Sequence, residues 1–171
     1  MSHQASHIKG KADLLTAGTR KKIDAWVARF PAEGKRSAII QSMMAAQDQN
    51  GGQLTRDLMD AVSDYLSLPP VWAYEVGSFY SMFDLQAVGR HKINVCTNIS
   101  CMLRGAEDIV KHLEHKLGIK LGETTQDGRI TLKIEEECLA GCCGAPMMLV
   151  DGHYHENLTP KRIDEILTGL E

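Results

Sequence analysis

Residues 91–118 read HKINVCTNISCMLRGAEDIVKHLEHKLG, and this stretch decides how the second half of the chain is built. In HKINVCT, Ile93 and Val95 alternate with polar residues, the period of a short strand, and the strand runs directly into Cys96. SCMLRGAEDIVKHLEHKLG then switches to helical spacing. Ser100 is the expected N-cap, Leu103, Ala106, Ile109, Val110 and Leu113 form one apolar stripe, and Gly118 ends it. Cys101 is therefore expected in a first helical turn, with Cys96 at the end of the strand before it.

Downstream the strand period returns. DGRITLKIEEEC starts from an Asp127-Gly128 turn, puts Ile130, Leu132 and Ile134 on one face and delivers Cys138 at its end. APMMLV and HYHEN flank Asp151-Gly152, a two-residue hairpin signal. TPKRIDEILTGL has Thr159 as cap, Pro160 at the first helical position, and Ile163, Ile166, Leu167 and Leu170 inward. The expected order from Gly89 onward is β-α-β-β-α.

Upstream of the Gly89-Arg90 turn the pattern is helical. Ile23, Trp26, Val27 and Phe30 share one face before Pro31 stops the helix; Ile39, Ile40, Met43 and Met44 form a second stripe, ended by Asn50-Gly51-Gly52. Leu58, Val62, Tyr65 and Leu66 make a third, and Leu68-Pro69-Pro70 restarts the chain into VWAYEVGSFYSMF. Tyr74, Phe79, Tyr80 and Phe83 in that fourth segment are expected to fill a helical core, with docking against a partner subunit as the rival role. The chain is thus read as α+β: an N-terminal helical bundle over 1–88 and a second domain over 89–171.

Composition restricts what such a chain does. Its 171 residues are 43% hydrophobic and 24% charged, enough to bury a core. With 19 basic and 22 acidic residues the net charge is -3, which gives no field for nucleic acid or an anionic membrane. No apolar run reaches the length of a signal peptide or a membrane helix, so a soluble protein on the reducing side of the membrane is expected. No Gly-rich dinucleotide fingerprint is present either, so no NADH or flavin site is expected on this chain.

The chemistry lies in the cysteines. All five fall in CTNISCMLRG, from Cys96, and CLAGCCGAPMMLV, from Cys138. The spacing is C-x4-C (Cys96, Cys101) and C-x3-C (Cys138, Cys142), with Cys143 alongside, and both pairs leave strand ends, so a sheet with those strands adjacent brings four thiols to one edge. Backbone N–H groups at helix starts and at Gly141 and Gly144 are expected to lower the thiol pKa values. Three readings compete: a disulfide pair, a structural zinc site with four thiolates, and an iron–sulfur cluster. The four-residue gap argues against a thioredoxin-type exchange site, which wants C-x-x-C.

Elsewhere bland roles are expected. His153 and His155 share a strand face and are read as exposed rather than metal-binding, His112 and His115 as solvated, Met147 and Met148 as core packing behind the cysteine loop, and Glu135 to Glu137 as a solvated strand end.

C-x4-C followed some forty residues on by ECLAGCCGAPMM and then LTP, behind a helical segment ending GSFYSMF, resembles the small 2Fe-2S subunits of the NADH dehydrogenase module of respiratory complex I. The resemblance covers roughly Arg20 to the C-terminus. It implies a thioredoxin-like ferredoxin domain behind a helical bundle, with one 2Fe-2S cluster whose ligands fall on Cys96, Cys101, Cys138 and Cys142. Cys143, directly after the fourth of these, departs from the pattern. The resemblance also implies a partner flavoprotein subunit that binds NADH, FMN and a 4Fe-4S cluster, further peripheral-arm subunits, and a cytoplasmic place against the inner membrane through the complex. Related assemblies are NAD-reducing hydrogenases and NAD-dependent formate dehydrogenases. A zinc-stabilised interaction module is the alternative from another class.

Overall fold

The structure, a computed structural model, describes residues 10–133 and 138–170. The chain divides into two compact units, one up to Ala87 and one from Val88.

The first unit is helical: α1 (Ala17–Val27), α2 (Ile39–Gln49), α3 (Arg56–Leu66) and α4 (Pro70–Phe79), with short 3-10 turns at Lys11–Leu14 and Ala32–Ala38. Each boundary has a chemical cause. Thr16 and Thr55 cap α1 and α3 by accepting from Thr19 and Leu58 backbone N–H, and Pro70 opens α4, where no donor is needed. Ile23, Met43, Leu54, Leu58, Val62 and Ala73 form the core. At Gly77 a Cβ would stand 2.8 Å from the Met59 sulfur, so the absence of a side chain lets α4 approach α3 closely. The buried Gln47 amide clips the segment after α4, donating to Met82 O at 3.1 Å and accepting from Asp84 N at 2.8 Å.

The aromatics of α4 and its extension divide. Phe83 is buried and Tyr74 and Tyr80 pack against the core, but Phe79 is 77% exposed. Filling the core therefore accounts for three of the four; in the last turn of α4 it is Val76 and Gly77 that face the core, and Phe79 lies on the solvent side.

The second unit holds β1 (His91–Val95), α5 (Ile99–Leu103), α6 (Ala106–Leu117), β2 (Ile130–Lys133), β3 (Met148–Val150), β4 (His153–His155) and α7 (Pro160–Thr168). The sheet order is β2-β1-β3-β4, with β1 parallel to β2 and antiparallel to β3, and β3 antiparallel to β4. Both arms of the hairpin are strands, so the order among the described residues is β-α-α-β-β-β-α. Asp151 and Gly152 both have positive φ, 50° and 81°, as a two-residue turn matched to strand twist requires. Ile93, Leu113, Ile130, Leu132, Met148 and Ile163 build the core beneath α6 and α7. Ile134 and the delivery of Cys138 by β2 lie outside the described residues, as do Glu135 to Glu137.

Several local readings change. The single helix expected after Cys96 is two: Gly105 takes φ 89°, ending α5 and starting α6 in a new direction. The cap of α5 is Asn98, whose side chain accepts from Ile99 N at 2.8 Å, rather than Ser100. Leu103, expected on the apolar stripe, consequently stands 76% exposed. His112 is half-buried rather than freely solvated; its Nε2 meets Asp164 Oδ1 at 2.9 Å and joins α6 to α7. His115 is exposed.

Candidate iron–sulfur site

The site grows from the end of β1. Beyond Val95 the chain stays paired for one more residue, Cys96 N donating to Met147 O at 3.1 Å, which fixes the first thiol at the end of the inner strand β1. Three residues on, the Asn98 cap starts α5 and turns Cys101 back beside it. Both thiols are 1% exposed and share a small apolar cluster with Ala106, Ala145 and Met147. Met147 and Met148 are fully buried, the former behind the cysteines and the latter in the sheet core.

The second pair is built differently. Cys138 and Cys142 are exposed, with their sulfurs 3.3 Å apart, and Cys142 opens a single 3-10 turn, Cys142–Gly144. Close packing dictates two glycines here: a Cβ on Gly141 would lie 2.8 Å from Met147 Cε, and one on Gly144 would lie 2.4 Å from Glu156 Cδ. The segment after β4 grips the loop through backbone bonds from Asn157 N to Gly144 O at 2.7 Å and from Leu158 N to Pro146 O at 2.9 Å. A cavity of about 310 Å³ is lined by Cys96, Cys101, Cys138 and Cys142 together with Asn98, Ile99 and Ser100. Cys143 is exposed and does not line it.

The Cys101 thiol, at a helix start, is not acidic in the way its backbone N–H surroundings would suggest. Burial pushes the Cys101 thiol up to about 11, with the adjoining Cys96 adding to the shift, and the Met147 backbone hydrogen bond offsets only part of it. For Cys101 desolvation wins because the thiol is buried in an apolar cluster with Ala106, Ala145 and Met147. Such a site yields thiolates to a cation, whose charge inverts the local balance. Among the described residues no three His, Cys, Asp or Glu side chains converge on one ion position. Two pairs of thiols on one cavity suit a group that takes two sulfurs on each of two metals better than a single tetrahedral ion.

Of the histidines on β4, His153 is exposed and His155 half-buried, and burial first, then the Arg162 charge, holds the His155 imidazole below its ordinary pKa. Tyr154 between them was not singled out in the sequence. Its hydroxyl donates to Leu139 O at 2.8 Å, inside the second cysteine loop, and the only sequence signal for this was its place in alternation with the two histidines.

A mixed four-stranded sheet flanked by helices, with four cysteines lining one cavity, is a unit with the donor set of an iron–sulfur protein. The chain belongs to the family described as thioredoxin-like [2Fe-2S] ferredoxin, whose pattern it matches over residues 23–171, most of the helical unit included. It is 44% identical over 145 residues to the E subunit of the NADH-quinone oxidoreductase of Rickettsia conorii, covering 85% of this chain and 86% of that protein. It is also 42% identical over 150 residues to the mitochondrial NADH dehydrogenase [ubiquinone] flavoprotein 2 of Dictyostelium discoideum, covering 88% of this chain and 60% of that protein. Among solved structures, an NAD+-reducing [NiFe]-hydrogenase in the air-oxidized state shares the fold, with a TM-score of 0.62 and 24% identity over 75% of this chain. This chain spans 22% of that one. No helix among the described residues is long and apolar enough to cross a membrane.

Proposed function

We propose that this chain is the electron-transfer subunit of an NADH:quinone oxidoreductase and carries one 2Fe-2S cluster on Cys96, Cys101, Cys138 and Cys142. The observation that carries the reading is the single cavity lined by those four thiols and not by Cys143. When bound, the cluster accepts and passes on one electron at a time. The chain's own residues do the rest: Asn98 and the β1 end fix the buried pair, Gly141 and Gly144 let the loop close over Met147 and Glu156, and the apolar cluster excludes water from the inner sulfurs. The ferredoxin domain is 89–171 and the helical bundle 1–88.

The chain is one part of an enzyme. NADH oxidation belongs to a flavoprotein subunit that binds FMN, NADH and a 4Fe-4S cluster, and the assembly holds this subunit at the cytoplasmic side of the inner membrane. The extent and identity of the match to the Rickettsia conorii protein favour this over an NAD-reducing hydrogenase, with which only the fold is shared. The test is anaerobic loading of the purified chain with iron and sulfide, followed by reconstitution with the flavoprotein subunit. A reddish-brown chain inert toward NADH alone, active only with its partner, is the expected result. NADH oxidation by the flavin-free chain, or a colourless zinc-bound chain, contradicts it.

A further inference from the structure

The loop between the exposed ligands runs Leu139-Ala140-Gly141. Ala140 has φ 60°, in the left-handed region, which an alanine adopts at a cost of about 1–2 kcal/mol and keeps only where its neighbours hold it. In that conformation the Ala140 N–H points at the Cys138 sulfur, 3.4 Å away, and donates to it. The other end of the same peptide unit is the Leu139 carbonyl, which accepts from Tyr154 Oη at 2.8 Å. A trans peptide is planar and its C=O and N–H point in opposite directions. A hydroxyl that holds the oxygen on one side therefore aims the N–H on the other.

We propose that Tyr154 is a positioning residue for the cluster: its hydroxyl orients the Leu139–Ala140 peptide so that the Ala140 N–H donates to the Cys138 sulfur, and this raises the reduction potential. The inference rests on Cys138 being a cluster ligand. An N–H donor to a ligand sulfur gains strength as electron density on that sulfur grows, so it favours the reduced, more negative state. Tyr154 is well placed to hold the peptide. It sits at the centre of β4, opposite Leu149 of β3, and the backbone bonds from Asn157 and Leu158 fix the strand's continuation to the same loop. Tyr154 is 55% exposed, and its link to the loop is the hydroxyl bond to Leu139 O.

The test is Tyr154→Phe in the full chain, with His153→Ala, an exposed neighbour on the same strand, as control. Two readouts are taken: the midpoint potential and reduced-state EPR spectrum of the loaded chain, and amide hydrogen exchange at Ala140 in the chain before loading. Tyr154→Phe is expected to shift the reduction equilibrium roughly three- to tenfold toward the oxidised state, tenfold being about 59 mV for one electron, with an altered EPR line shape and faster Ala140 exchange. His153→Ala is expected to change neither. An unchanged potential and spectrum in Tyr154→Phe overturn the proposal, as does unchanged Ala140 exchange. If the parent chain takes up no cluster, it is the ligand reading that fails, and the exchange experiment still decides whether Tyr154 holds the peptide.

Discussion

Cys96 and Cys101 are held by regular secondary structure and closed off from solvent, whereas Cys138 and Cys142 sit on an exposed loop, although all four line one cavity. The difference divides the work of the site. The inner pair is positioned by a strand end and a capped helix that would form without any metal, and its burial keeps at least Cys101 protonated until a cation arrives. The outer pair takes its geometry from tertiary contacts: Met147 beneath Gly141, Glu156 against Gly144, and the Tyr154 hydroxyl on Leu139. One half of the site is set on regular elements, a paired strand end and a capped helix, and the other on an irregular loop held by packing against distant side chains. Changes to the inner pair should act on whether a cluster binds, and changes around the outer pair on how firmly it is held.

The largest effect is expected for Cys96→Ser or Cys101→Ser. Either should abolish cluster uptake, read as loss of visible absorption and of iron after anaerobic loading, while circular dichroism of the chain stays native. Next comes Gly144→Ala. The new methyl would meet Glu156 Cδ at 2.4 Å and Glu156 Cβ at 2.5 Å, and the latter is too close to the backbone to swing aside. Overpacking of this kind costs about 1–3 kcal/mol, so a lowered unfolding midpoint and a cluster that bleaches faster under chelator are expected. Retention of wild-type bleaching rates would break the claim that packing holds the outer pair.

Cys142 and Cys143 sharpen the contrast within one loop. Cys143→Ser is expected to keep the cluster with little change in its spectrum, since Cys143 does not line the cavity, whereas Cys142→Ser should lose it or leave a labile, altered centre. If Cys142→Ser keeps a centre, the double substitution tests for rescue by Cys143, which should then vanish.

The smallest effect concerns pH on the β4 side. Burial lowers the His155 pKa in the folded chain, so its contribution to stability is full above about pH 6.5 and is lost as pH falls through the lower folded value. Arg162 and His153 are the charges facing it. Thermal midpoints measured from pH 7 to 5 should fall less for His155→Gln than for the parent chain; equal slopes would contradict this.

What was legible in the sequence follows the same division. Asp151-Gly152, Thr159-Pro160 and the Ile93/Val95 alternation are local signals, and each appears as turn, cap and strand at its expected place. The pairing of thiols with strand and helix starts was likewise local for Cys96 and Cys101. Gly105 was harder to interpret: a glycine inside a helical stripe either persists or breaks the helix, and here the break swings Leu103 outward. The direction of the Cys101 shift, the His112–Asp164 link and the reach of Tyr154 to Leu139 depend on burial or on residues fifteen or more positions apart. No periodicity encodes them. Phe79 shows the limit in the helical unit, where an aromatic in an apolar run proves to be solvent-facing.

The most direct test of the central claim is the metal content and reduced-state EPR of the anaerobically loaded full chain, compared with its Cys138→Ser variant. About two irons and two sulfides per chain, with one axial or rhombic one-electron signal that Cys138→Ser loses or distorts, is the predicted result. One zinc and no sulfide, or an iron signal indifferent to Cys138, would contradict it.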